Sequence, residues 1–304
     1  MLTFKLKKVV FTTYKLLVRT GSETGITGAL LPLPLRRKLK AVVDRGIRAL
    51  TRIEASKPYY VLGHRMWLHP GKSALQSEAF GTYEYDTVEV FSDYIRPGMT
   101  VVDVGAFVGF YTLLSARLVG PQGSVYAFEP NPEAFALLRR NIHENGYGDR
   151  VTAVPKAVSK AGGKAQLFLN RANPGMTSLY GQGREIDVET ISLDDFFCKE
   201  GWPQVDFAKV DVEGGEVQVL HGMSEVVRRN PHMALVIEFN PSAQVTAIGD
   251  YETFFRTLQQ LGFNKFRMIR HGVRDIAIPT DIPMLAQLAD IGFINLFCRI
   301  DQMG

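Results

Sequence analysis

Short apolar runs alternate with helix-period segments through much of the chain. Residues 101–104, 124–128, 151–154, 205–210, 234–239, 265–269 and 294–300 read as strands. Helix-end signals lie between them. Asn131-Pro132-Glu133 supplies an N-cap, a proline at the first helical position and an acid in the first turn, and Gly146 closes that segment. Ser192-Leu193-Asp194-Asp195 reads as a capping box with aspartate in place of glutamate. Residues 251–260 form a helical segment that stops at Gly262, and Gly162-Gly163 marks a turn before an extra alternating strand at 164–169. Residues 270–292 read as an insertion in which Pro279 and Pro283 flank a short helix. Strands alternating with helices predict βαβ units, and so a doubly wound α/β domain on a parallel sheet.

The N-terminal region patterns differently. Leu31-Pro32-Leu33-Pro34 interrupts a basic, Leu/Val-rich stretch, and residues 36–52 place Leu39, Val42, Val43, Ile47 and Leu50 at near-helical spacing. The expected division is a basic helical extension, 1–78, followed by the α/β domain, 79–304. Residues 1–60 carry 13 Lys/Arg against Glu23, Asp44 and Glu54, whereas the rest of the chain carries 22 basic and 28 acidic side chains. The net charge of +4 therefore belongs to the extension. A mildly acidic domain argues against a nucleic-acid partner. A helix packing its apolar side on the domain is the simplest reading of 36–52, with peripheral membrane contact through residues 1–60 as the alternative. No apolar run reaches the roughly 18–20 residues of a membrane span. Lys5, Lys7 and Lys8 precede an apolar patch without a small-residue cleavage site, so a cytoplasmic chain is expected. Cys198 and Cys298 fit structural thiols in a reducing compartment.

The chemistry concentrates at strand ends. The first strand ends in Asp103 and is followed by Gly105-Ala106-Phe107-Val108-Gly109 and a helix start. Glycines let the backbone approach a ligand, and a helix N-terminus offers free N–H groups to an anion. Glu129 ends the next strand, 24 residues after Gly105, where a carboxylate can accept from both hydroxyls of a ribose. Asp211 and Glu213 follow a third strand, and Glu238 lies near the end of a fourth. These three are the candidate general bases, since buried carboxylates on adjacent strand ends need a cation, a ligand or a proton. His221 is a weaker candidate, more simply a structural or surface histidine, and Glu216 is read as complementing the dipole of the helix it begins. Carboxylates clustered at a strand edge could instead bind Mg²⁺ that acidifies a diol acceptor, but nothing in the spacing demands a metal, and none is expected.

Together, the segments VVDVGAFVGFYT, FEPNP, KVDVEGGE with the following VLHG, and IEF resemble the FkbM family of S-adenosylmethionine-dependent methyltransferases over about residues 79–300. The resemblance implies a class I methyltransferase-like, Rossmann-like sheet of seven strands with the last antiparallel, and S-adenosylmethionine as cofactor. It also implies methylation of a hydroxyl on a small-molecule acceptor such as a sugar, a lipid or a polyketide. Carried over by position, Asp103, Gly105, Ala106 and Gly109 form the methionine-binding loop, with Thr112 at the helix start. Glu129 holds the ribose, Pro130 and Asn131 line the adenosine, and Ala157 and Val158 lie near the adenine with Ser159 beside them. Tyr83-Glu84 matches a family pair, which brings Glu84 to the methionine ammonium, and Asp211 and Glu213 face the transferred methyl. Phe107 stands where family members commonly have asparagine. Thr177-Ser178-Leu179, in the polar, glycine-rich loop 170–184, also resembles the family. That loop, the extension and the 270–292 insertion are the segments expected to set acceptor specificity. Two other readings stay open. One is a degenerate methyltransferase fold kept as a binding module. The other is a nicotinamide-dependent oxidoreductase, which would want Gly-x-Gly-x-x-Gly where this chain has Asp-x-Gly-x-x-x-Gly.

Overall fold

The computed structural model describes residues 57–68, 84–170, 177–181, 184–270, 272–289 and 293–301. These all belong to one compact unit, Ile53–Gly304. The helix expected at 36–52, Tyr83 and most of loop 170–184 lie outside the described residues.

The chain opens with β1 (Tyr59–Val61), β2 (His64–Met66), α1 (Tyr85–Tyr94), β3 (Thr100–Val104), α2 (Phe110–Val119), β4 (Ser124–Phe128) and α3 (Pro132–Glu144). It continues with β5 (Val151–Val154), β6 (Ala157–Val158), β7 (Gly163–Leu169), β8 (Arg184–Ile191), α4 (Leu193–Lys199), β9 (Phe207–Val210), α5 (Glu216–His221) and α6 (Ser224–Arg229). The last elements are β10 (Ala234–Phe239), α7 (Pro241–Ile248), α8 (Glu252–Gln260), β11 (Lys265–Ile269), β12 (Val273–Ile276), α9 (Ile282–Ala289) and β13 (Ile294–Arg299).

Eight strands form the main sheet in the order β12-β11-β13-β10-β9-β3-β4-β5. From β10 to β5 the neighbours pair in parallel, and β13 runs antiparallel to both β10 and β11. This is the expected seven-stranded arrangement with one strand added at the edge. The addition, β12, hairpins onto β11 through Gly272 (φ 100°), and Arg267 meets Asp275 across the pair at 2.8 Å. The 270–292 stretch is therefore partly sheet. Pro283 sits in the first turn of α9 instead of flanking it.

Successive side chains of a strand point to opposite faces. Val101, Val125, Phe207 and Val236 accordingly pack with Phe91, Leu114 and Leu138 of α1, α2 and α3. Val102, Ala208, Leu235 and Ile237 pack with Phe197, Val219, Phe254 and Leu285 of α4, α5, α8 and α9. Burying a phenylalanine stabilises by about 1.5–3 kcal/mol, so fully buried Phe91 and Phe254 anchor the two helical layers. Helix starts follow the predicted chemistry. Asn131 Oδ1 accepts from the Glu133 N–H at 3.0 Å, and Ser192 Oγ accepts from the Asp195 N–H at 3.0 Å. Such a cap is worth about 1 kcal/mol. Asn240-Pro241 repeats the Asn-Pro signal and starts α7, with Asn240 Oδ1 accepting from Ala243 at 3.2 Å.

The β1–β2 hairpin lies before residue 79, and the chain leaving it is tied to the α/β domain. The Trp67 N–H donates to Asn141 Oδ1 at 2.7 Å, its indole donates to Glu144 at 2.8 Å, and Arg140 stacks on the indole ring. No helix among the described residues is long and apolar enough to cross a membrane.

From β3 the sheet grows one way through β4 and β5 and the other way through β9 and β10. The carboxyl ends of β3 and β9 thus meet at the topological switch point, where open α/β sheets bind ligands. A second sheet, β6-β8-β7, stands apart from the main one.

Candidate active site

The turn after β3 is held by glycine at one decisive position. Gly105 has φ +85°, and a Cβ added there would lie 1.8 Å from the Asp211 carbonyl oxygen. The Gly105 and Ala106 N–H groups both donate to the Phe128 carbonyl at 3.0 Å, locking this turn to the end of β4. Phe107 is left-handed, with φ 49°. Asparagine tolerates that region better than a bulky residue does. The Phe107 N–H donates to Glu129 Oε2 at 2.8 Å, and the Asn131 N–H donates to Oε1 at 2.8 Å. Burial raises Glu129 to about 7, with those two N–H groups pulling the other way. Gly109 N-caps α2, where a Cβ would press to 2.8 Å on Leu138, so this glycine serves the packing of α2 on α3.

Asp103 is 1% exposed, and its Oδ2 accepts from the Thr112 hydroxyl at 2.6 Å. Its Oδ1 has no hydrogen-bond donor among the described residues. Burial raises its pKa, with Lys209 and Thr112 opposing. Glu84, left-handed at φ 41°, caps the start of α1, and its Oε2 accepts from Tyr111 and from Asn295, both at 2.6 Å.

Between these elements lies a solvent-facing cleft. Gly105, Phe107, Glu129 and Pro130 border one side, while Phe128, Ala157, Val158, Leu167 and Leu179 make an apolar slot. Segment 177–181 is strapped to the far end, where Ser178 Oγ donates to the Glu213 carbonyl at 2.6 Å. Asp211 and Glu213 border that end.

Thr112 is fully buried and donates to Asp103, and the Asn131 side chain caps α3. Ser159 backs onto Gly222, and His221 is exposed at the end of α5.

The acidic end has a partner that the sequence reading passed over. Lys209, 2% exposed, donates to Asp211 Oδ2 at 2.7 Å and stands 4.7 Å from the Tyr111 ring centroid. It is the only buried lysine or arginine among the described residues. Burial alone would lower its pKa, yet Asp211, Glu84 and Asp103 hold the ammonium above its ordinary value. The available signal was a lysine two residues before Asp211, hence on the same strand face, inside an apolar run. Glu213 is left-handed (φ 54°), and burial, then Asp211 and Glu216, raise it to about 8. Burial, then Asp211 and Glu213, raise Glu238 well above the carboxylate range. Glu216 begins α5 as expected but is mainly a staple for the turn before it. Its carboxylate accepts from the Val212 and Gly214 N–H groups at 3.1 and 3.0 Å and from the Gln244 amide. One carboxylate oxygen from each of Asp211, Glu213 and Glu238 lies within 4.8 Å of the others.

Strand order, glycine turn and strand-end acids together define a class I methyltransferase-like fold. Residues 103–265 match the model of the methyltransferase FkbM domain, and the chain belongs to the FkbM methyltransferase family. Its cofactor is S-adenosylmethionine. The residues fit that group: Asp103 offers a buried acceptor without a donor among the described residues, and the Glu129 carboxylate borders the cleft. The chain is 32% identical over 161 residues to 31-O-demethyl-FK506 methyltransferase FkbM of Streptomyces tacrolimicus, covering 43% of this chain and 62% of that protein. It is 27% identical over 175 residues to methyltransferase sdnD of Sordaria araneosa, covering 45% of this chain and 67% of that one. These matches span about two thirds of the relatives' own length or less. The crystal structure of methyltransferase FkbM from Methylobacillus flagellatus superposes with a TM-score of 0.43 at 14% identity, covering 74% of this chain and 54% of that one.

Proposed function

We propose that this protein transfers the methyl group of S-adenosylmethionine to a hydroxyl oxygen of a small molecule such as a sugar, a lipid or a polyketide. The observation that carries the reading is the cluster of carboxylates Asp211, Glu213 and Glu238, of which Asp211 and Glu213 border the same cleft as Glu129. When bound, the cofactor supplies a methyl already activated by a sulfonium charge. The residues do the rest. The turn at Gly105 and the N-terminus of α2 suit the methionine carboxylate, and Asp103 with Glu84 suits its ammonium. Glu129 accepts from the ribose hydroxyls, and the slot of Leu167 and Leu179 keeps water from the adenine. An alcohol must lose its proton as its oxygen attacks, and the carboxylate row stands ready as the proton's destination. The name of the Streptomyces relative specifies an O-demethyl substrate, in keeping with transfer to oxygen.

Calorimetric titration with S-adenosylmethionine, S-adenosylhomocysteine and NADH tests the reading, with Glu129→Ala as control. Binding of the two adenosyl ligands but not NADH, weakened by the substitution, is the expected result. A screen of hydroxylated acceptors with methyl-labelled cofactor then follows. Absence of adenosyl binding would leave a degenerate binding module, and NADH binding would indicate an oxidoreductase.

A further inference from the structure

We infer that the acceptor end of the cleft is a binding site for one hard divalent cation, of the Mg²⁺ or Mn²⁺ kind, held by Asp211, Glu213 and Glu238. Three carboxylate oxygens, one from each residue, lie within 4.8 Å of one another, close enough for a single ion to touch all three. The strands enforce this convergence. Asp211 follows β9, Glu238 stands near the end of its parallel neighbour β10, and the turn after Asp211 brings Glu213 back toward both.

A second observation asks for a ligand. Glu238 is 3% exposed, and its Oε1 has no hydrogen-bond donor among the described residues. Directly opposite on β13, Asn295 Oδ1 is likewise buried without a donor. A buried carboxylate oxygen left without a donor is costly unless a cation or a proton satisfies it. The nearby groups are engaged elsewhere. Lys209 binds Asp211 through Oδ2, and Glu216 is fully occupied by the turn and Gln244. The donor set is all carboxylate, with no histidine or cysteine, which suits a hard ion with open positions for water or an acceptor hydroxyl. Sequence spacing alone did not demand it, because the three residues meet only when β9 and β10 are paired.

The inference deepens the methyltransferase reading, yet ion binding is measurable without turnover. Full-length protein freed of metal with chelator is titrated with Mn²⁺ alone and followed by electron paramagnetic resonance. One Mn²⁺ per chain is expected, displaced by Mg²⁺. Glu238→Gln and Asp211→Asn should each weaken it at least about tenfold, with unchanged circular dichroism showing that the variants fold. Glu129→Gln should leave Mn²⁺ binding alone while weakening S-adenosylmethionine. Failure of Mn²⁺ to bind, or binding indifferent to both folded variants, overturns the site, and the methyltransferase reading then stands or falls on cofactor titration. Mn²⁺ binding as expected, with no affinity for S-adenosylmethionine, would sink the methyltransferase reading and leave the ion site standing.

Discussion

The two halves of the cleft are built on opposite plans. At the Glu129 half, polar groups are tied down: both oxygens of Glu129 accept backbone N–H groups, and the turn beside it is bonded to the Phe128 carbonyl. Apolar side chains supply the rest. At the acidic half, carboxylates crowd around one buried ammonium, and oxygens of Asp103 and Glu238 have no donors among the described residues. The first half is complete before anything binds. The second is completed by what binds, whether the cofactor's own cation, a metal ion or an acceptor.

The largest effect should come from joining the halves by force. Gly105→Ala drives a Cβ against the Asp211 carbonyl and imposes φ +85° on alanine, so a loss of roughly 3 kcal/mol or more is expected in denaturant unfolding, together with cofactor binding. Retention of both properties would show that the turns are independent. Next is Glu129→Ala, which removes only the carboxylate proposed to hold the ribose. Cofactor affinity should fall by about 2–3 kcal/mol in calorimetry, the usual worth of hydrogen bonds to a charged group, while the acidic half keeps its ion affinity. A pH series gives a smaller effect. Because burial lifts Glu129 to about 7, its ionised form prevails above that pH, and cofactor affinity should be full at pH 8. It should then weaken by up to about tenfold per unit as pH falls below 7. A flat profile would mean that the ribose does not rely on this carboxylate. The smallest effect is a gain. Phe107→Asn puts a left-handed-tolerant residue at φ 49° and should raise stability by about 0.5–1 kcal/mol, read from the thermal midpoint.

Much of this was legible in the chain because the signals were local. Strand ends, glycine turns and the Asn131-Pro132 cap each depend on a few adjacent residues, and all sit where expected. The same Asn-Pro signal at Asn240-Pro241 was present but went unread, hidden behind Glu238. Strand β12, two of whose four residues are charged, lacks the alternation that marks a half-buried strand and reveals itself only beside β11. Lys209 was overlooked because a lysine is assumed to face water; its burial depends on Glu84, Asp103 and Asp211, which arrive from three separate segments. The strain at Glu213 and Phe107 is invisible to pattern reading, since nothing in their side chains asks for a left-handed backbone.

The contact between the Gly105 α-carbon and the Asp211 carbonyl makes the two halves share a wall with no lining. A descendant of this protein cannot widen one room without moving the other, so new acceptors are reached by rebuilding the rim, the segment around Ser178 and the hairpin past β11, over a fixed floor. Chimaeras that exchange rim segments with relatives should therefore keep their cofactor, and grafts that extend as far as Asp211 should forfeit it.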